Sequence, residues 1–102
     1  MKRGEVWWAD EPEIGRRPVL ILTREGAVEI LRRVIVVPAT RTVRGLRTEV
    51  LLTEDDDMPD VCVLTLDNIT TIPKALLTSR ICRLRGDRMV EVCRALAIAT
   101  NC

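Results

Sequence analysis

The stretch Gly15-Arg16-Arg17-Pro18-Val19-Leu20-Ile21-Leu22 decides how the chain is organised. It joins a polar turn with two adjacent guanidinium groups to an uninterrupted apolar run. Gly15 permits a tight turn, and Pro18 suits the start of a strand, where a missing N–H costs least. Val19–Leu22 is too short for a helix and too apolar for an exposed strand, so it predicts a buried strand. Such a strand would hold Arg17 in a fixed position at its entrance.

A second apolar run, Val34-Ile35-Val36-Val37, predicts a strand over Arg32–Val37. The run ends in Pro38-Ala39-Thr40 and continues into a basic segment. If the two strands are neighbours, Arg17 and Thr40 meet at their ends and form a site suited to phosphate chemistry. The plainer interpretation is an ordinary strand entrance with a solvated arginine and a capping threonine. The residue types alone do not separate the two interpretations, because a motif is a hypothesis until its structural context supports it.

Composition and charge limit the function classes that the chain can serve. Its 102 residues, 47% of them hydrophobic, suffice for one compact core, and we expect a single domain over residues 1–102. The net charge of +1 argues against a strong non-specific nucleic-acid binder, which is normally clearly basic. The charges are nevertheless segregated. The segment Thr40–Arg47 has three arginines and no acid, whereas Glu54–Asp60 is acidic, so polyanion binding on one side is possible without a high pI.

The chain has no histidine. This removes the usual general base, the usual metal ligand and the Ser–His and Cys–His nucleophile systems. The cysteines are widely spaced without a C-x-x-C pair, which argues against a zinc site and favours free thiols in a reducing compartment; they are Cys62, Cys82, Cys93 and Cys102. We therefore expect no metal and no cofactor. The start of the chain lacks the apolar core of a signal peptide and no segment is long enough to span a bilayer, so we expect a cytoplasmic protein without membrane association.

Residue patterns along the chain predict the remaining elements. Alternation and β-branched content predict further strands over Gly4–Asp10, Glu49–Thr53, Val61–Leu66 and Ser79–Leu84. In the first of these, the adjacent Trp7 and Trp8 must point to opposite faces, one toward the core and one toward a surface. The intervening segments are predicted to be one or two helical turns over Glu25–Leu31, an exposed acidic loop over Glu54–Asp60 and a connection over Asp67–Leu77.

The C-terminal segment has a different period. From Asp87 onward, apolar residues recur at helical spacing and predict an amphipathic helix whose inner face carries Met89, Val92, Cys93, Leu96, Ala97 and Thr100. Asp87 lies in the first turn, where an anion suits the helix dipole. Several short strands followed by one helix predict a small α+β fold, a barrel-like sheet closed on one side by the helix.

Five segments of the chain, taken in order, carry a resemblance to a known protein family. They are Met1–Trp7, Gly15–Leu22, Val37–Thr40 with Arg44-Gly45-Leu46, Leu66–Ile69, and Arg80–Leu84 with Met89–Val92. Their order and spacing, over nearly the whole chain, resemble the MazF/PemK (Kid) family of toxin endoribonucleases from bacterial type II toxin–antitoxin modules. No single segment is decisive, and the resemblance depends on all of them together.

The resemblance implies a small SH3-like β-barrel of the CcdB/Kid type, a homodimer, and metal-independent, sequence-specific cleavage of single-stranded RNA. It also implies 2′,3′-cyclic phosphate and 5′-hydroxyl ends, inhibition of translation and growth, and silencing by a cognate MazE-like antitoxin with a disordered tail. The family's active arginine in its R-P-V motif corresponds to Arg17, and the active threonine after its next long strand corresponds to Thr40. The natural candidates for RNA contacts are Arg16, Arg41, Thr42, Arg44 and Arg47.

The chain also departs from the family pattern. Its first loop is shorter than in many relatives, which carry a Ser-Glu-Gln segment before the active arginine, so Glu11 and Glu13 do not inherit that glutamate's role. Asn68 stands where a glutamine is common, and Thr70 where an arginine often follows. The resemblance therefore does not transfer a cleavage sequence, and it leaves the proton-transfer groups unassigned.

Three other functions are compatible with parts of the sequence. A CcdB-like toxin that binds gyrase shares the fold but needs no active arginine. A non-catalytic SH3-like interaction module needs an aromatic groove, which two tryptophans without tyrosine or phenylalanine make hard to build. A metal nuclease using Asp55, Asp56 and Asp57 is disfavoured because consecutive carboxylates on a loop point in different directions. The pair of Arg17 and Thr40 favours the ribonuclease.

Overall fold

The computed structural model describes all 102 residues as seven strands followed by one α-helix. The strands are β1 (Glu5–Glu11), β2 (Gly15–Ile21), β3 (Arg33–Thr40), β4 (Glu49–Leu52), β5 (Cys62–Thr65), β6 (Thr70–Pro73) and β7 (Leu77–Arg83), and the helix is α1 (Gly86–Thr100). Single 3-10 turns lie at Glu54–Asp56, Leu66–Asn68 and Lys74–Leu76. The predicted α+β class with a C-terminal helix is confirmed. With its 15 residues, α1 is not long and apolar enough to cross a membrane.

All strand pairs are antiparallel, in the order β4-β5-β3-β2-β1-β7, and β6 pairs with β3 beside this path. The centre of the sheet is β3, which pairs with β2 through Val36–Pro38, with β6 through Arg33–Val36 and with β5 through its last two residues. No ladder joins the end strands β4 and β7, so closure of the sheet into an SH3-like barrel stays a prediction.

The second strand is buried on both faces, as its apolar run predicts. Leu20 and Leu22 belong to a larger core that α1 covers, whereas Val19 and Ile21 belong to a smaller core on the other side. Successive residues of a strand point to opposite faces, so one apolar run supplies both cores. Each of these side chains is at most 6% exposed. Packing on both faces therefore fixes the backbone of β2, and with it the position of Arg17 just before the apolar run.

The inner face of α1 differs from the predicted one. Its buried residues are Val92 and Ala95, whereas Cys93, Ala97 and Thr100 of the predicted face are exposed. The helix packs against β4 and the turn Leu66–Asn68. Apolar residues of α1 form a stripe broader than the contact surface. The helical period therefore identifies the helix, but the packing surface selects which part of the stripe is buried.

Two connecting segments also differ from their predictions. The helical turns predicted over Glu25–Leu31 are wrong, because this segment forms consecutive turns without a helix. Gly26 adopts a φ of +84°, outside the helical range, so it interrupts a regular helix. The segment buries the adjacent Ala27 and Val28, whereas Ile30, which helical spacing predicts on the same face as Ala27, is 81% exposed. The predicted connection over Asp67–Leu77 contains the additional strand β6, which pairs with β3.

Candidate active site

A cleft of about 270 Å³ lies where β2 begins and β3 ends. Its wall combines cationic, hydroxyl, aromatic and apolar groups with a single carboxylate. The lining residues are Trp8, Arg16, Arg17, Pro18, Ala39, Thr40, Arg41, Met58, Pro59, Asp60 and Cys62. The structure therefore brings Arg17 and Thr40 into one cleft, together with Arg16 and Arg41 of the predicted RNA-contacting group.

The strand register explains why Arg17 and Thr40 lie near each other. The ladder between β2 and β3 pairs Val19 with Pro38. Continuing this antiparallel register by two residues along each strand places Arg17 opposite Thr40. The β2–β3 ladder stops at Val19 and Pro38, and Thr40 pairs with Val63 of β5. Arg17 and Thr40 both line the cleft just beyond the end of this ladder.

Arg17 is half-buried, and its guanidinium makes no ion pair and no side-chain hydrogen bond. A guanidinium carries several N–H donors in a planar fork and stays charged under all ordinary conditions. Because none of these donors is used within the protein, the whole fork is available to an anionic ligand in the cleft. Strand β2 fixes the backbone of Arg17, whereas the side chain is not restrained by a partner.

Thr40 is also half-buried. Its Oγ1 accepts a hydrogen bond from the backbone N–H of Thr42 at 3.3 Å. A hydroxyl both accepts and donates, so this bond orients the oxygen and leaves its proton free to donate into the cleft. Thr42 does not line the cleft. Thr42 contributes the backbone amide that donates to the Thr40 hydroxyl oxygen and orients it.

Arg16 and Trp8 form a stacked pair at the cleft. The guanidinium carbon of Arg16 lies 4.6 Å from the centroid of the Trp8 ring, within the range of a cation–π interaction. Trp8 faces Pro18 across the β1–β2 ladder, and Arg16 lies two residues before Pro18 on the same side of the strand. Sequence reasoning placed one tryptophan at a surface but did not assign Trp8 to the site. The alternation of side chains along β1 and the pairing of Trp8 with Pro18 together place Trp8 beside Arg16.

Arg41 and Asp60 form an ion pair at the cleft, with 3.2 Å between Nη2 and Oδ2. Both side chains are exposed, at 81% and 64%. Solvent-exposed pairs contribute about 0–1 kcal/mol to stability, so this bridge is easily exchanged for another partner. Asp60 is the one carboxylate that lines the cleft. It was not among the predicted site residues.

The acidic segment is not the uniformly exposed loop that was predicted. Met58 is buried, and its sulfur lies 3.6 Å from the sulfur of Cys82. The Asp56 carboxylate is 6% exposed, pairs with Arg88 at 2.9 Å and accepts the backbone N–H of Thr53 in a capping box. The segment therefore forms a structured wall of the cleft, fixed to α1 from behind.

The thiol at the cleft is not activated. Burial raises the pKa of Cys62, and the nearby charges of Asp60 and Asp56 raise it further. Burial, with the charges of Asp57 and Asp56, raises the pKa of Cys82 to about 11. Both groups are protonated near neutral pH, and a protonated thiol is a weak nucleophile. All cysteines of the chain are free, as predicted.

The remaining residues of the predicted RNA-contacting group lie outside the cleft. The backbone N–H of Arg44 donates to the Glu49 carboxylate at 3.1 Å. Arg47 lines a separate groove between β4 and α1, with Arg88 and Arg94. The structure therefore divides the group in two: Arg16 and Arg41 lie at the cleft, whereas Thr42, Arg44 and Arg47 follow the chain away from it.

The acidic run does not gather into a cluster of metal ligands: no group of three or more Cys, Asp or Glu side chains is arranged to hold a metal ion. Asp57 adopts a left-handed backbone conformation at φ 64°, and the Asp56 carboxylate is paired with Arg88.

The protein is a small antiparallel α+β fold with a cleft lined by three arginines, and guanidinium groups are suited to anionic ligands such as phosphates. Residues 2–100 match the sequence profile of the family described as PemK-like, MazF-like toxin of type II toxin–antitoxin system. The chain belongs to this family.

Individual relatives agree with the family assignment. The chain is 45% identical over 101 residues to the "Probable endoribonuclease MazF5" of Mycobacterium tuberculosis, covering 98% of this chain and 93% of the relative. Its fold is similar to that of the solved Mycobacterium tuberculosis toxin MazF-mt6, with a TM-score of 0.87, 35% identity and coverage of 95% and 96% of the two chains. A mycobacterial endoribonuclease solved in complex with its cognate antitoxin gives a TM-score of 0.88 at 26% identity, over 99% of this chain and 95% of that one.

Proposed function

We propose that this protein is the toxin of a type II toxin–antitoxin module and acts in the cytoplasm as a sequence-specific endoribonuclease on single-stranded RNA. The observation that carries the proposal is the uncommitted guanidinium of Arg17 in the same cleft as the Thr40 hydroxyl. Family membership and the names of the relatives as endoribonucleases support it. The reaction needs no metal and leaves 2′,3′-cyclic phosphate and 5′-hydroxyl ends.

The chemistry is an internal transesterification. The ribose 2′-oxygen attacks the adjacent phosphorus as its proton leaves, the bond between phosphorus and the 5′-oxygen breaks, and that oxygen gains a proton. Negative charge accumulates on the phosphoryl oxygens of the phosphorane. The fork of Arg17 donates to these oxygens, where charged hydrogen bonds are strongest, and Thr40 donates a further bond that orients the phosphate. Arg17 stays protonated, so water or a neighbouring group transfers the protons.

The other cationic residues guide the RNA backbone. Arg16 and Arg41, at the cleft, contact the phosphates beside the cut. Thr42, Arg44 and Arg47 continue the path away from the cleft and contact more distant nucleotides. Phosphate contacts position the strand without reading its sequence. Binding should therefore weaken as salt rises, because each phosphate contact releases counterions.

The protein acts as a homodimer whose activity a MazE-like antitoxin blocks. The similar mycobacterial endoribonuclease bound to its cognate antitoxin supports an antitoxin partner here. An acidic or apolar antitoxin segment would bind beside Arg41–Arg47, where the local charge is positive, and compete with RNA. An antitoxin that inhibits while leaving bound RNA undisturbed would contradict this competition.

The proposed activity has a direct test. Purified protein is incubated with a long single-stranded RNA in EDTA, and the fragment ends are mapped across a complex RNA pool. We expect defined cuts with cyclic phosphate and 5′-hydroxyl ends. Intact RNA would refute the nuclease and favour a gyrase-binding toxin or an interaction module. Cleavage that EDTA abolishes would instead require a metal.

A further inference from the structure

The lining of the cleft contains two chemically different groups of residues. The first group is Arg16, Arg17 and Thr40, whose guanidiniums and hydroxyl are suited to phosphate. The second group is Met58, Pro59 and Asp60, which combine apolar side chains with a carboxylate. A carboxylate repels phosphate, so its presence in a cleft for RNA needs a different explanation.

The apolar lining and the Asp60 carboxylate together have the composition of a nucleobase pocket. Met58 and Cys62 are buried, and Ala39 and Pro59 complete an apolar lining that can contact the face of a flat ring. The Asp60 carboxylate is the one lining group that accepts hydrogen bonds with full charge. Single-stranded RNA exposes the Watson–Crick edges of its bases, which proteins read by such hydrogen bonds.

Asp60 forms its ion pair with the residue that follows Thr40. Arg41 Nη2 lies 3.2 Å from Oδ2 of Asp60, and no hydrogen bond involves Oδ1. Arg41 directly follows Thr40 at the end of β3. The carboxylate therefore lies beside the predicted cleavage site, and because an exposed ion pair is weak, it keeps acceptor capacity for a ligand.

We propose that Asp60 is a specificity-determining residue that selects guanine at a nucleotide next to the cut. Guanine is the standard base with two adjacent donors on its Watson–Crick edge, the ring N1–H and the exocyclic amino group, and a carboxylate accepts both. Adenine and cytosine offer one amino group, and uracil offers one ring N–H between two acceptors. The inference rests on the proposed function, because base selection is measured as RNA cleavage.

The test compares kcat/KM on short single-stranded RNAs that carry each base in turn at the positions flanking the mapped cut. The proteins are wild type, Asp60→Asn and the control Asp57→Asn. Asn has the same size as Asp, and its amide presents one donor and one acceptor. It can match the carbonyl and ring N–H that guanine shares with inosine and uracil, but it no longer accepts from both the ring N–H and the amino group of guanine. The control removes the same charge three positions away, outside the cleft, at a left-handed backbone position that Asn tolerates.

We expect wild type and Asp57→Asn to prefer guanine over uracil at one position by about 5-fold to 150-fold, the discrimination of a good bidentate base contact. In Asp60→Asn the ratio falls to near one. Arg41, released from its partner, affects all sequences alike through phosphate and leaves the ratio unchanged. Inosine, which lacks the exocyclic amino group of guanine, gives a second readout without any change in the protein: it should slow cleavage by wild type and not by Asp60→Asn.

Three results would overturn base selection while the nuclease stands. The first is an unchanged guanine ratio in folded Asp60→Asn, and the second is a wild type that cuts guanine and inosine substrates equally. The third is an equal loss in kcat on every sequence with an altered acidic limb of the pH profile, which would make Asp60 a general base. Wild type that cuts no RNA would overturn the proposed function and the inference together.

Discussion

Two arginines of this protein have opposite surroundings. Arg88 on α1 is 18% exposed and donates to the Asp56 carboxylate at 2.9 Å, to the Leu51 carbonyl and to the Glu91 carboxylate. Arg17 at the entrance of β2 is half-buried and donates to nothing. Burial lowers the pKa of Arg88, but the hydrogen bond and charge of Asp56, and then Glu91, outweigh it and raise the pKa overall.

The difference distinguishes an arginine that stabilises the fold, Arg88, from one that is available to a ligand, Arg17. A buried guanidinium is stable only when acceptors surround it, and Arg88 satisfies this condition by fixing the wall of the cleft to the helix. Arg17 keeps its donors free within a water-accessible cleft, so its binding capacity is directed at a ligand. An unpaired guanidinium in the cleft is the feature on which the proposed site depends.

Removing Arg88 should give the largest effect on stability. Arg88→Ala leaves the buried Asp56 carboxylate without its partner, and breaking a buried ion pair costs about 3–5 kcal/mol. Urea unfolding should show this loss. Arg94→Ala, on the exposed side of the same helix, should leave the free energy of unfolding unchanged. Equal stability of the two variants would show that the Arg88 cluster does not anchor the wall.

Removing Arg17 should give the reverse result. Arg17→Ala should lower RNA cleavage by about 10²–10³-fold, because one positioned donor to a developing oxyanion is lost, and should leave the unfolding midpoint unchanged. Arg17→Lys keeps the charge without the fork and should recover only part of the activity. Arg32→Ala, at an exposed residue outside the cleft, is the control. Full cleavage by folded Arg17→Ala would end the assignment of the site.

Thr40 should have a smaller effect than Arg17. Thr40→Ala removes a hydroxyl donor, and a hydrogen bond to a charged group contributes about 1.5–3 kcal/mol, roughly 10-fold to 150-fold in rate. Thr40→Ser keeps the hydroxyl and should retain most of the activity. Single-turnover cleavage measures both variants. If Thr40→Ser were as slow as Thr40→Ala, the methyl group rather than the donor would be responsible.

A second supporting cluster predicts a pH effect on stability. Burial raises the pKa of Glu5, but hydrogen bonds from Trp7 and Lys2 and the charges of the N-terminus and Arg80 outweigh it and lower the pKa overall. Because the folded-state pKa lies below the ordinary value of 4.5, the stabilisation is complete above that value and is lost as the pH falls through the folded-state pKa. The stability difference between wild type and Glu5→Gln should therefore be present near neutral pH and vanish in acid.

The matched control for the pH effect is Glu13→Gln, at an exposed position of the β1–β2 turn. Its unfolding free energy should follow that of wild type at every pH. A difference between wild type and Glu5→Gln that persisted unchanged into acid would show that the charge of Glu5 is not the stabilising feature. Cleavage at neutral pH should not change, because Glu5 lies outside the cleft.

The local sequence predicted most of the strands and part of the site. The apolar run after Pro18 predicts a strand buried on both faces, and the neighbouring run before Thr40 predicts its partner. Once these two strands pair, the register alone brings Arg17 and Thr40 together. The catalytic roles of both residues stay predictions. The resemblance to MazF-like toxins, which depends on sequence segments alone, is confirmed by the family profile over residues 2–100.

The errors share a cause. Glu25–Leu31 has apolar residues at helical spacing, but the fold buries the adjacent Ala27 and Val28 instead. The fold likewise buries Val92 and Ala95 of α1 in place of the predicted Cys93 and Ala97. The strand β6 is a strand because β3 lies beside it. In each case a distant segment decides the local structure, because burial and pairing outweigh intrinsic preference.

The sequence by itself therefore determined the elements whose pattern is strong and local, and with them the pair at the end of β2 and β3. Only the tertiary structure decided which other residues line the cleft with Arg17 and Thr40. It turned the acidic segment into a wall by pairing Asp56 with Arg88, 32 positions apart, and it brought Asp60 and Trp8 into the cleft. Contacts between residues so far apart leave no periodic trace in the sequence, because they depend on how the chain packs and not on how it repeats.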